Sequence, residues 1–394
     1  MERIGIYGGT FNPPHIGHMA AARCAVDALR LDRLLLIPDR NALHKAMPQG
    51  SAAPCQRKEM LEIAARDMEK IRICTLELEA EGPSYTHETV ERLRERYPDA
   101  RLYLIMGTDM LEKFLQWKEP QRILRQVTLA CLWRGGKGEK DRAHKAKLEL
   151  EAAGAEVELV HNPVIEISST QVRRMLVFRC AGPFLPKGVA DYILENGLFE
   201  TGRDFRNLPM EELERVVIRL LNPNRVAHVL GCRDTAADLA RHWGVNVTDA
   251  ARAGLLHDIT KAIDGPLQLT LCAEYGTMLD DFSRRYPKTL HALTGSLVAE
   301  RVFGENEAVV SAIRSHTTGK PNMNTLEKII YVADYMEPCR NFPGVERLRE
   351  LAYSDLDAAL KCGLEMTLEH LARQGSEVSP ESREALAWLN KNGI

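Results

Sequence analysis

Along the first 200 residues short apolar runs alternate with amphipathic stretches, whereas from Met210 onward the apolar positions follow a helical period almost without interruption. The first texture predicts strands at Arg3–Tyr7, Arg33–Ile37, Ile71–Glu79, Arg101–Met106, Thr128–Trp133 and Glu156–Val160. Helices are predicted between them at His18–Leu29, Cys55–Met68, Thr86–Tyr97 and Ala143–Ala153, each able to serve as a right-handed crossover. The fold class read from this alternation is α/β, a doubly wound parallel sheet covered by helices on both faces. The polar, Gly-rich stretch Arg134–Arg142 predicts a mobile surface connection, and Pro186–Leu198 a closing helix. TGRDFRNLP, residues 201–209, reads as a linker. The second texture predicts helices at Met210–Leu221, Asn224–His242, Thr248–Asp258, Pro266–Tyr275, His291–Phe303, Glu305–Ser315, Thr325–Met336, Val345–Tyr353, Ser354–Arg373 and Pro380–Lys391. The expected organisation is therefore an α/β domain over residues 1–200 and an all-α domain over 205–394.

Composition narrows the function without choosing it. Of 394 residues, 45% are hydrophobic and 27% charged, which excludes collagen-like and wholly disordered chains. Lys and Arg number 52 against 55 Asp and Glu, a net charge of -3 that leaves no electrostatic footprint for duplex nucleic acid or an anionic membrane. The expected partners are small nucleotides, and a homo-oligomer is compatible with the composition. MERIGIYGG enters a strand pattern directly and no long apolar run follows, so a cytoplasmic location is expected. Nine scattered cysteines without a C-x-x-C pair predict reduced thiols, mostly buried, and no thiolate metal site.

The first candidate site is GGTFNPPHIGH, residues 8–18, between a strand and a helix. Gly8 and Gly9, followed by Thr10 and Phe11, leave room for a phosphate close to the backbone, and the helix start directs unpaired amides toward that anion. His15 and His18, three apart, fall on one face and can converge on one phosphoryl group. Gly17 between them removes a side chain where a base or ribose could press. Together with ISSTQVR at 167–173, this segment resembles the nucleotidyltransferases that share H-x-G-H and I-S-S-T-x-x-R, a Rossmann-like superfamily. The resemblance implies in-line attack of a substrate phosphate on the α-phosphorus of ATP, with Mg²⁺ on the triphosphate and pyrophosphate leaving. His15 and His18 then stabilise the reacting phosphorus, Lys45 and Arg173 the leaving oxygens, and Ile167, Ser168, Ser169 and Thr170 the β- and γ-phosphates.

PSYTHET at 83–89, GTD at 107–109 and FLQWKEP at 114–120 resemble nicotinate-mononucleotide adenylyltransferases in particular. That likeness implies that Thr86 recognises the pyridine carboxylate, Trp117 stacks on the ring, and Gly107 and Asp109 contact adenosine. Nicotinamide mononucleotide or a phosphopantetheine-like acceptor are the alternative substrates.

The second candidate site is spread over the helical domain, in RVAHVLG, AGLLHDITK, LHALTG, SHTTGKPNM and YVADYMEP. His228, His257, Asp258, His291, His316 and Asp334 are the polar exceptions on apolar helices, and buried polar groups need partners. Imidazole with carboxylate is the ligand set of Fe, Mn, Co and Zn. His257 and Asp258, adjacent on a predicted helix, reach a common centre across its edge, with Asp258 bridging two cations. His228, His257, Asp258 and Asp334 are expected to hold the first, and His291 with His316 the second. Lys261 and the Thr317, Thr318, Gly319 turn are expected to meet phosphate. The constellation resembles the HD superfamily of metal-dependent phosphohydrolases. HDITK, SHTTG and VADYMEP are similar to a bacterial subfamily that cleaves diadenosine tetraphosphate symmetrically to two ADP at a di-iron or similar centre, which implies Asp258 and Lys261 as catalytic residues. Another nucleotide substrate, such as a guanosine polyphosphate, or a non-catalytic regulatory role is the alternative.

Overall fold

Six strands, β1 (Arg3–Gly9), β2 (Arg33–Pro38), β3 (Ile71–Ile73), β4 (Arg101–Gly107), β5 (Val127–Trp133) and β6 (Val157–His161), pair in the order β3-β2-β1-β4-β5-β6. All five pairings are parallel. The computed structural model describes the chain apart from residues 41–46, 49, 81, 83, 134, 135, 137, 163, 164, 166 and 394. It divides into two compact units, Met1–Arg203 and Asp204–Ile394.

In the first unit the strands are buried on both faces, as a parallel sheet flanked by helices requires. Along β4, Leu102, Leu104 and Met106 enter one apolar cluster while Tyr103 and Ile105 enter the other. Each such side chain contributes about 1.5–3 kcal/mol on burial. The crossover helices are α1 (Ile16–Ala28), α2 (Pro54–Ala65), α3 (Thr86–Arg96) and α4 (Glu139–Ala152), and α5 (Ser169–Val177) follows β6. Strand order reverses between β1 and β4, so the chain leaves their neighbouring C-terminal ends in opposite directions. A crevice results there, the usual ligand position in an open α/β sheet.

The doubly wound sheet predicted from the sequence is the one that forms; several boundaries move. The strand expected over Ile71–Glu79 stops at Ile73, because Leu78 and Glu79 donate back to the Thr75 carbonyl and turn the chain. Part of the expected connection at Arg134–Arg142 is helical: Gly138, at φ 75°, starts α4, and Glu139 and Asp141 complement its positive end. The closing helix is confined to Val189–Glu195, and the short helices Thr108–Glu112 and Pro120–Leu124 carried no periodic signal. Of the nine cysteines, all free, Cys74, Cys131, Cys180, Cys232 and Cys272 are buried, and Cys55 and Cys339 are exposed.

Among its described residues the second unit has helices joined by turns and loops, and no strand. Its central elements are α6 (Val226–Trp243), α7 (Val247–Leu256), α8 (Leu290–Arg301), α9 (Glu307–Ser315), α10 (Thr325–Met336) and the C-terminal α11 (Pro380–Lys391). The helix expected over Thr248–Asp258 ends two residues early. His257 is its C-cap, and Asp258 lies in a run of turns in which Ile259 donates to Leu256 and Lys261 to Asp258. No described helix is long and apolar enough to cross a membrane.

The helices α6 and α7 approach closely at Gly254. A Cβ there would lie 2.9 Å from Arg233 Cα and 3.1 Å from the Cys232 carbonyl, both backbone atoms that cannot yield cheaply. Gly254→Ala is expected to destabilise the second unit by about 1–3 kcal/mol, the usual range for overpacking. Denaturant unfolding followed by circular dichroism checks this, and unchanged stability would show that the crossing is adjustable.

Candidate functional site

In the second unit five helix ends bring His228, His257, Asp258, His291, His316 and Asp334 together. His228 sits in the first turn of α6, His257 at the C-cap of α7, His291 at the start of α8, His316 at the C-cap of α9, and Asp334 near the end of α10. Every histidine is turned inward in the same way. Nδ1 of His257 lies 2.7 Å from the Gly254 carbonyl, that of His291 2.9 Å from Lys288 and that of His316 2.6 Å from Ile313. Nδ1 of His228 lies 3.0 Å from Glu337 Oε1. These oxygens accept from an Nδ1–H, which leaves each Nε2 lone pair facing the centre.

Asp258 divides its two oxygens between two donor sets. Oδ2 is 3.7 Å from His228 Nε2 and 3.6 Å from His257 Nε2, and Oδ1 is 3.5 Å from His291 Nε2 and 3.8 Å from His316 Nε2. Asp334 Oδ1 completes the first side, 3.2 Å from His228 Nε2 and 3.8 Å from His257 Nε2. Two groups of ligand atoms, His228 with His257 and Asp334, and His257 with Asp258 and His316, each lie within 4.8 Å of one another. Oδ1 of Asp258 is buried without a hydrogen-bond partner, since its imidazole neighbours stand beyond bonding length. An orphaned buried carboxylate oxygen among inward lone pairs fits divalent cations with nitrogen and oxygen ligands.

The electrostatics follow from burial. Desolvation alone would raise the Asp258 carboxyl, but His257, His316 and Lys261 around it hold it well below its ordinary range. Asp334 is likewise held low against its own burial, by His228 and His257. Burial pushes His257 down to about 4, and burial reinforced by the Lys261 ammonium pushes His291 down to about 3. Both imidazoles are thus neutral near pH 7, the protonation state a ligand needs.

Lys261 Nζ lies 2.9 Å from His291 Nε2 and 3.5 Å from Asp258 Oδ1, and Thr317 Oγ1 lies 3.0 Å from His291 Nε2 and 3.1 Å from His316 Nε2. The rest of the expected phosphate turn goes elsewhere. Gly319 adopts φ +67° against Ala385 and Leu364, and Thr318 donates to Glu381 at 2.6 Å, so those two residues dock α11. Three charged residues at the centre carried no role in the sequence reading. Glu337 orients His228, Arg225 pairs with Asp258 Oδ2, and Arg340 donates to Asp334 Oδ1 at 2.6 Å. The spacing could have found two of them: Arg225 precedes His228, and Glu337 follows Asp334, by one helical turn.

In the first unit, His15 and His18 open α1 at the C-terminal end of β1, their rings stacked at a centroid distance of 3.6 Å. The His15 amide donates to His18 Nδ1 at 3.2 Å, which places the ring proton of His18 on Nε2. The glycines differ from expectation. A Cβ on Gly17 would meet the His15 ring at 3.0 Å, so the bareness of Gly17 serves that imidazole. The space beside Gly9 is filled by Phe11, whose ring a Cβ would meet at 3.2 Å, while Gly8 stays exposed and open.

ISSTQVR packs directly on the first loop. Ser169 Oγ donates to the Pro13 carbonyl at 2.9 Å, and Arg173 donates to the Asn12 carbonyl at 2.7 Å and to Thr170 Oγ1 at 3.1 Å. Ser168 caps α5 through the Gln171 amide, and Ile167 is buried. The three hydroxyls expected on phosphate are therefore engaged within the protein, and the first amides of α5 are the groups its N-terminus offers an anion.

A further organiser is Arg57, fully buried on α2. It donates to the carbonyls of Thr10 at 2.7 Å, Asp39 at 2.6 Å and Arg40 at 3.1 Å, and lies 3.2 Å from Asp39 Oδ1. One guanidinium thus ties the loop after β1 to the loop after β2. Lys45 lies outside the described residues. Thr86 begins α3, and the half-buried Trp117 packs 4.9 Å from the Phe114 ring. Lys118 Nζ, 3.6 Å from the Tyr85 ring centre, joins the segments that carry Thr86 and Trp117. Gly107 caps the helix Thr108–Glu112, and Asp109 is strongly exposed, 3.4 Å from Arg142.

The Cytidylyltransferase-like family model matches residues 6–175 and the HD domain model residues 225–339. A probable nicotinate-nucleotide adenylyltransferase of Neisseria meningitidis serogroup C is 34% identical over 206 residues, which are 51% of this chain and 100% of that protein. Its Bacillus licheniformis counterpart is 35% identical over 202 residues, with the same 51% and 100% coverage. Among solved structures, a predicted HD superfamily hydrolase involved in NAD metabolism from Clostridium acetobutylicum is 36% identical, covers 47% of this chain and 98% of its own, and has a TM-score of 0.46. Through its first half the chain belongs to the nicotinate-nucleotide adenylyltransferase family, and its second half carries an HD domain.

Proposed function

We propose that the chain is bifunctional. Its first unit transfers AMP from ATP to nicotinate mononucleotide, giving deamido-NAD and pyrophosphate, and its second unit hydrolyses diadenosine tetraphosphate to two ADP. The family relatives, matched over their whole length, support the first activity. The observation that carries the second is Asp258, a buried carboxylate with one oxygen toward each of two histidine pairs.

In the transferase, His18 donates from Nε2 to an oxygen of the reacting phosphorus, with His15 stacked behind it. Lys45 and Arg173 balance the charge of the leaving phosphates of Mg-ATP, beside Ile167 and Ser168 and the first amides of α5, those of Ser169 and Thr170. Gly8, Gly9, Thr10 and Phe11 shape the phosphate loop, and Gly107 and Asp109 meet adenosine. Thr86 takes the pyridine carboxylate and Trp117 the ring. No covalent enzyme intermediate is needed, so the contribution of the chain is orientation and charge.

In the hydrolase, His228, His257, Asp258 and Asp334 would hold one divalent cation, and His291 and His316, with the second oxygen of Asp258, another. Iron, manganese, cobalt and zinc all suit this donor set. Such ions, when bound, supply Lewis acidity and activated water for attack on phosphorus. Glu337 keeps His228 in its ligating tautomer, and Lys261 and Thr317 hold phosphate oxygens on the His291 side.

His18→Ala is expected to lower deamido-NAD synthesis on the order of 10²–10³-fold, as loss of one transition-state donor does, and to spare tetraphosphate cleavage. Asp258→Ala is expected to do the reverse. Assays of both activities on each folded variant check this, and loss of both from either change would sink the two-site assignment. Incubating the intact protein with diadenosine tetraphosphate and Fe²⁺, Mn²⁺, Co²⁺ or Zn²⁺ is expected to yield ADP alone. AMP with ATP would mean asymmetric attack, and a chain that binds no metal and turns nothing over would be a nucleotide-binding regulator. Faster turnover of nicotinamide than of nicotinate mononucleotide would remove Thr86 from its assignment.

A further inference from the structure

Arg225 closes the short turn Pro223–Arg225, one helical turn before His228. Its Nη2 donates to Asp258 Oδ2, the oxygen that also faces His228 and His257. The Arg225 side chain is 30% exposed, whereas Asp258 is 1% exposed, so the guanidinium reaches the buried centre from its solvent edge. Its Nε is buried and makes no hydrogen bond.

Arg340 provides the contrast within the same cluster. It holds Asp334 at two points, Nε on the backbone carbonyl at 2.7 Å and Nη2 on Oδ1 at 2.6 Å. That grip fixes the end of α10, whereas Arg225 reaches Asp258 through one nitrogen and keeps donors to spare. A cation drawing on Asp258 Oδ2 competes with Arg225 for the same lone pairs. Once displaced, a partly exposed guanidinium beside such a centre matches the oxygens of a diphosphate or longer chain, which it can bind with two parallel donors.

We propose that Arg225 is an exchangeable counter-ion: it pairs with Asp258, cedes Oδ2 to a divalent cation, and then binds a phosphate oxygen of the nucleotide substrate. The inference rests on the metal-centre reading above. It makes Arg225 a substrate-binding residue that opposes metal entry.

The test titrates Mn²⁺, and then inorganic pyrophosphate, into full-length wild type, Arg225→Gln and Arg225→Lys by calorimetry. Asp258→Ala serves as the blank for pyrophosphate taken up by the transferase unit. Arg225→Gln is expected to bind Mn²⁺ several-fold more tightly than wild type, while its metal-dependent pyrophosphate affinity falls roughly tenfold or more, as loss of a charge-assisted contact implies. Arg225→Lys, which keeps the charge but not the fork, is expected to fall between. Weaker Mn²⁺ binding by Arg225→Gln with pyrophosphate affinity unchanged would overturn the proposal and make Arg225 a mere support for Asp258. Unchanged affinities for both would overturn it as well. A wild type that binds no Mn²⁺ beyond the Asp258→Ala blank would bring down the metal-centre reading itself, and this proposal with it.

Discussion

A carboxylate buried at the meeting point of several helix ends has to be compensated, and Asp258 imposes that requirement on the whole second unit. Burying one ion costs several kcal/mol after relaxation. A single opposite charge about 4 Å away returns about 4 kcal/mol at an effective dielectric near 20. One partner barely balances the cost, and Asp258 has two permanent cations beside it, Lys261 and Arg225, both carried by turns. The same logic repeats at Asp334, which is paired with Arg340. The helices therefore converge where their ends can deliver polar side chains, and their apolar faces fill the remaining interior. The backbone carbonyls that close α7 and α9 take a second task, because Gly254 and Ile313 fix the ring orientation of His257 and His316.

The first unit solves a different problem, that of holding the loop after β1, an interior strand, without a fixed charge in its middle. Its answer is backbone tethering. Arg57 gathers three carbonyls from two loops, and Arg173 and Ser169 bring α5 onto the carbonyls of Asn12 and Pro13. The loop between β1 and α1 is thereby fixed from two directions. The stacked His15 and His18 stand on a support whose own polar groups are largely satisfied. Preorganisation of this kind suits chemistry that depends on positioning.

The sequence alone determined the doubly wound sheet and the all-helical second half, because burial on both faces writes continuous apolar runs and amphipathic helices write a helical period. It also marked the six polar exceptions on apolar helices, since a charge or imidazole at a core position is conspicuous in one dimension. Only the tertiary structure decided how they are shared. Asp258 leaves the helix of its neighbour His257 and turns one oxygen to each side, a geometry set by the turn after Leu256, where no periodicity exists to be read. The same holds for Arg57 and Arg340, whose charges look like ordinary helix or loop surface until folding carries them inward. It holds too for Thr318, Gly319 and Phe11, which the left-handed turn at Gly319 and the packing beside Gly9 divert from phosphate. Local pattern records which way a residue faces on its own element; which distant partner it meets depends on the packing of elements far apart in the chain.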